Sequence, residues 1–147
     1  MVPADILPTF KRKLGFDRVL YIGQPKESDA RLWEIALKAQ AGALSEVKPG
    51  AIAENVCKAY AEVIKASGLE CSFRAGRSVG YSFNEMPQLA IGDKTVLKAG
   101  VVFAVDGAVN NPGVSRAQTG DSIVVTENGY EKLTKYSNKI EDLIIDR

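Results

Sequence analysis

Histidine is missing from all 147 residues. Its absence removes every chemistry that needs an imidazole as metal ligand, general base or proton donor near neutral pH. Cysteine is almost as scarce: Cys57 and Cys71 have no second pair beside them, which suits buried or free thiols in a reducing compartment better than a disulfide framework. A surplus of charge is lacking too. Nineteen basic residues against eighteen acidic ones leave a formal charge of +1, so no global field draws the chain to nucleic acid or to an anionic membrane. No apolar run approaches the ~20 residues of a membrane helix. Asp5 and the Lys11-Arg12-Lys13 triplet stand where a signal peptide would need its apolar stretch, so a cytoplasmic location is the expectation. The triplet itself is too short for a basic recognition tract and is expected to be a solvated hairpin or loop.

What is present is the composition of a packed protein, 46% apolar and 25% charged, enough for one domain spanning residues 1–147 with a substantial core. Nothing in it repeats or has low complexity. Val19 to Ile22 is a short strand-type run stopped by Gly23 and Pro25. Ser28 is a natural N-cap. After it Leu32, Ile35, Ala36, Ala39 and Ala43 recur at helical spacing, which predicts a helix over 28–47 ending near Lys48-Pro49-Gly50. Ile52, Val56, Ala59, Tyr60 and Val63 predict a second helix over 51–67, closed by Gly68 in a left-handed cap. Strand-type runs follow at 69–74, 101–105 and 122–126, and the tail from Tyr136 to Ile145 reads as a short helix or an edge strand. The class is α+β, with two long antiparallel helices on one face of a curved, mainly antiparallel sheet.

Several separated motifs carry a resemblance to a known family. Gly15-Phe16-Asp17-Arg18-Val19 with Ile22-Gly23-Gln24-Pro25, Lys48-Pro49-Gly50, Gly76-Arg77-Ser78-Val79-Gly80, Asn84-Glu85-Met86-Pro87, 97–103 and 120–129 occur in one order. Together they resemble the creatinase, aminopeptidase P and methionine aminopeptidase superfamily, over nearly the whole chain. The resemblance implies part of a pita-bread fold and, for the family, a hydrolase with two divalent metals held by two aspartates, a histidine and two glutamates.

Carried over position by position, that ligand set is degraded. Asp5 matches the first aspartate, and the second falls on Gly15, with Asp17 two residues on. The metal-binding histidine falls on Arg77, a fixed cation with no lone pair to donate. The glutamates fall on Asp106 and on Gly120, or on Asp121 if the register slips, and the family's substrate-assisting histidine falls on Asn84. Asp5, Gly15, Arg77, Asp106 and Gly120 are thus degenerate metal positions, and no metal or other cofactor is expected. Arg77 is expected to pair with Asp106 or Asp5 as a structural bridge, or to grip a ligand carboxylate in a bidentate fork. Arg77, Asn84 and Glu85 are the remnant catalytic positions. Glu85 shows no neighbouring proton donor, and Ser78 and Ser82 have no base to activate them. Gly76 to Gly80 lacks the Gly-Lys-Ser of a phosphate loop and is expected to be a turn of the inherited fold. Trp33 reads as packing or a subunit contact.

The leading expectation is therefore a metal-less, Xaa-Pro peptidase-like pseudoenzyme domain that binds peptide or protein or assembles with a partner; metal-less members of the superfamily, such as the domain in the large subunit of the FACT histone chaperone, bind protein. The alternative is a divergent Xaa-Pro dipeptidase or creatinase-like C–N hydrolase, active with a partner chain or within a longer enzyme. The resemblance begins inside the first of the fold's two αβ halves, which implies a homodimer, a complementary subunit or a longer polypeptide to cover the bared sheet. The expected interface is 2–22, with Phe10, Phe16, Leu20 and Tyr21 as anchors. Neither nucleic acid nor membrane is an expected partner.

Overall fold

The computed structural model describes residues 13–113 and 115–146. In chain order the elements are strand β1 (Tyr21–Ile22), helices α1 (Glu27–Ser45) and α2 (Ala53–Ala66), and strands β2 (Glu70–Cys71), β3 (Arg74–Ser78), β4 (Glu85–Ala90), β5 (Val102–Val105), β6 (Ala108–Asn111), β7 (Ser115–Gln118), β8 (Asp121–Thr126) and β9 (Gly129–Lys132). A 3-10 turn (Ile140–Leu143) then leads into β10 (Ile144–Ile145). The two long helices and the mainly antiparallel pairing agree with the expected class. The sheet is divided, however: five strands in the order β4-β3-β5-β8-β9, three in the order β2-β6-β7, and a parallel pair β1-β10.

Both helices lie where the apolar period put them, with corrected ends. Ser28 is not the N-cap of α1; Lys26 is, without a side-chain cap. Pro25 disfavours helical backbone in the residue before it, and the backbone of Lys26 accepts from Asp29 and Ala30 at 3.0 Å, one turn earlier than the serine suggested. Glu27 and Asp29 in the first turn complement the helix dipole. At the end of α2, Gly68 has φ +72° and donates to Lys65 O, while Leu69 donates to Ile64 O, the paired bonds of a Schellman cap. The start of α2 is clamped by Glu54, which binds Lys58, Lys94 and the Gly92 amide; the two lysines, Lys94 first, lower its carboxyl pKa to about 2.

α1 and α2 bury Leu32, Trp33, Ala36, Ala39, Val56, Tyr60 and Ile64 against Leu89, Phe103, Val105, Ile123 and Val125 of the five-stranded sheet. Each large side chain so buried contributes about 1.5–3 kcal/mol of transfer free energy. Trp33 is core: its indole N–H donates to Asn138 O at 3.1 Å, tying the tail to α1. The tail is both of its expected alternatives in succession, one 3-10 turn followed by a two-residue strand beside β1.

Among the described residues, the segment from Lys13 to Asp17 crosses the opposite sheet face. Lys13 N donates to Gly80 O at 2.8 Å, Ser122 Oγ bonds both backbone groups of Gly15 at 2.9 Å, and Asp17 and Gly120 exchange two backbone bonds. The Val19–Ile22 strand is correspondingly short, because pairing begins only at Tyr21. Small residues allow the close crossing. A Cβ on Gly15 would fall inside van der Waals contact of Ala104 Cβ. Phe16 and Leu20 are exposed on this segment, whereas Tyr21 is half-buried against the core; Phe10 lies outside the described residues.

Candidate functional site

Strand alternation places the site. On β5, Phe103 and Val105 face the helices, so Ala104 faces the covered side together with its neighbour Arg77 on β3. Asp106 follows β5 directly, and its amide donates to Ala75 O at 3.0 Å, which turns the chain away from the strand beside Arg77. The Arg77 guanidinium Nη1 donates to Asp106 Oδ2, and both side chains are buried. Nε donates to Phe83 O at 3.0 Å, and the guanidinium carbon lies 4.1 Å from the Phe83 ring centroid, a stacked cation–π contact. Burial and then the neighbouring Arg74 press the Arg77 pKa below the usual arginine range, and Asp17 partly offsets them; the group stays charged.

The degenerate positions are neighbours in space. Arg77 Nη2 lies 3.5 Å from where a Gly15 Cβ would stand. A Cβ on Gly120 would lie 2.5 Å from Asp17 Oδ2 and 2.9 Å from Asp106 Cβ. Gly15, Asp17, Arg77, Asp106 and Gly120 therefore converge on one point beneath the crossing segment, while Asp5 lies outside the described residues. Asp121 is elsewhere: it accepts from Arg18, Thr134 and Lys132, and although burial raises its pKa these partners lower it overall. Asn84 is exposed and accepts from Arg74 Nη1 at 3.1 Å, and Glu85 accepts from the Ser82 amide at 2.6 Å. Neither hydrogen-bonds to Arg77 or Asp106.

This arrangement does not fit a dinuclear metal. Among the described residues no group of three or more cysteines, aspartates or glutamates stands together to hold an ion. Two ligand positions are glycines whose space is already filled, and the third carries a cation. Arg74, Phe83 and Arg116 around the same centre were missed in the sequence. Their signal is tertiary, since they come from β3, the β3–β4 connection and β7.

Residues 16–127 match the model of metallopeptidase family M24. The chain belongs to that family. It is 38% identical to the agropine synthesis cyclase of Rhizobium rhizogenes over 125 residues, 82% of this chain and 32% of the cyclase. It is 32% identical to the Xaa-Pro dipeptidase of Pyrococcus furiosus over 84% of this chain and 36% of the dipeptidase. Among solved structures, the X-Pro aminopeptidase of Thermotoga maritima superposes with a TM-score of 0.82 at 25% identity, covering 90% of this chain and 37% of the aminopeptidase. The fold is thus part of the pita-bread fold, as the motif order implied. The chain spans about a third of the length of these relatives.

Proposed function

We propose that this chain is the ligand-binding part of a metal-independent family M24 protein, in which the buried Arg77–Asp106 pair takes the place of the metal charge. The observation that carries this is the convergence of Arg77 with Gly15, Asp106 and Gly120, where the family's ligand set would require carboxylates and an imidazole. At ~4 Å and an effective dielectric of ~20, one unit charge on Arg77 repels another by about 4 kcal/mol, and a divalent ion doubles that. A carboxylate-bearing or otherwise polar small molecule suits the same cation. Calorimetric titration with Mn²⁺ and Zn²⁺ should show no tight stoichiometric uptake, and Mn²⁺, Co²⁺ or Zn²⁺ should not elicit cleavage of proline dipeptides. Tight uptake abolished by Asp106→Asn would overturn this reading.

A second reading keeps catalysis. The identity to a cyclase, 38%, exceeds that to the Pyrococcus furiosus dipeptidase, 32%, which favours a reaction on a small molecule over peptide hydrolysis, completed by polypeptide beyond this third of the relatives' length. Mass spectrometry of agropine incubated with a polypeptide that carries this chain and the rest of the relatives' length tests it in the reverse direction: conversion lost in Arg77→Met would support catalysis, and unchanged agropine would remove it.

A further inference from the structure

Beside the Arg77 centre, and sharing Asp106 as a wall, a cavity of about 120 Å³ opens between the β2–β3 junction and β7. It is lined by Ser72, Phe73, Arg74, Asp106, Arg116 and Gln118 among others. At ~30 Å³ per water this is the room of about four waters, which a carboxylate or phosphate group would fill. Its lining residues carry two guanidinium groups and one carboxylate, and that carboxylate, Asp106, is already bonded to Arg77. Among the described residues neither Arg74 nor Arg116 makes an ion pair.

Each of the two arginines is oriented by a neutral acceptor, and no carboxylate among the described residues pairs with it. Arg74 Nη1 donates to Asn84 Oδ1 at 3.1 Å, and its guanidinium carbon lies 4.9 Å from the Phe73 ring centroid. Arg116 Nη2 donates to Gln118 Oε1 at 2.6 Å, and Gln118 Nε2 in turn donates to Asp106 O at 3.1 Å. The chain Arg116–Gln118–Asp106 fixes one cation relative to the centre, and the Asn84 and Phe73 contacts fix the other. Arg74 also lies near enough to Arg77 to depress its pKa. An anion in the cavity relieves that repulsion and meets two preset forks.

We propose that this cavity is an anion subsite in which Arg74 and Arg116 hold the carboxylate or phosphate group of a small ligand whose remainder reaches the Arg77–Asp106 pair. The proposal rests on reading that pair as a ligand site and supplies the substrate class: small organic anions. It also gives Asn84 a positioning role on Arg74.

Heteronuclear NMR titration of the purified chain with inorganic phosphate and, separately, with acetate tests it. Saturable shifts should appear around Arg74, Arg116 and Gln118, weaken with added sodium chloride, and weaken about tenfold in Arg116→Ala and in Arg74→Ala. Arg116→Lys should lose less. Arg116→Glu, at an exposed position that leaves folding intact, should abolish the shifts. Whichever anion binds tighter identifies the ligand's head group. No saturable shift into the tens of millimolar, or affinity unchanged in the Arg74→Ala, Arg116→Ala double variant, would overturn the subsite. Anion binding alongside tight Mn²⁺ uptake would instead sink the metal-free reading and spare this one.

Discussion

Arg18 and Asp121 make one buried ion pair and Arg77 and Asp106 another, with side-chain exposures of 4% and 1% against 5% and 7%. Their saturation differs. Arg18 donates from Nε to Ser137 O, from Nη1 to Asp17 O and Gly120 O, and from Nη2 to Tyr136 O and Asp121, which uses all five of its N–H groups. Asp121 also accepts from Lys132 and Thr134. Arg77 makes two hydrogen bonds to described residues, one to Asp106 and one to Phe83 O. A saturated pair has nothing left to offer a ligand and serves as a staple holding the crossing segment, β8 and the tail together. An undersaturated pair, whose aspartate forms part of a cavity wall, retains recognition capacity, at some expense in stability.

The strongest way to break this contrast is to remove the staple. Asp121→Ala leaves Arg18 buried without its counter-charge and should cost about 3–5 kcal/mol in urea unfolding. A loss below about 1 kcal/mol would show the pair to be dispensable. Arg77→Met should cost less, about 1–3 kcal/mol, because Asp106 still shares a cavity with Arg74 and Arg116. Combining it with Asp106→Leu should recover part of that loss, since no unpaired charge then remains buried. An Arg77 variant as damaging as Asp121→Ala would make both pairs staples.

The smallest effect is on acid sensitivity. The partners of Asp121 hold its folded-state pKa below the ordinary value of 3.8, so its contribution to stability is full above that value and is lost as pH falls towards and below it. Asp121→Asn should therefore flatten the acid limb of a stability profile below about pH 4. An acid limb identical to that of the unsubstituted protein would mean that Asp121 carries no linkage.

The apolar period of 32–43 and 52–63, the glycine at 68 and the motif order were legible in the sequence because they are local, and they suffice for two helices, a Schellman cap and the family. The N-cap was misread because a serine two residues on from Lys26 looks like a better cap than a lysine. Strands β3, β4, β6, β7 and β9 were not foreseen. The run expected over 69–74 yields only β2 and the first residue of β3, and the stretch 76–80 expected as a turn begins in β3. Glu85–Ala90 and Ser115–Gln118 carry too few β-branched residues to alternate visibly, and all five are strands because neighbouring strands satisfy their backbones.

The sequence by itself determined what this site lacks. Without histidine, and with Gly15, Arg77 and Gly120 at positions where the resemblance expects ligands, the chain keeps only Asp5 and Asp106 of the family's five donors, whatever the fold. Only the tertiary structure decided what stands beside those positions. Arg77 and Asp106 are 29 positions apart, and Arg74 and Arg116 stand on strands of different sheets. Which arginine is saturated and which is not depends on where backbone carbonyls and a crossing segment fall in space, information that spacing along the chain does not carry.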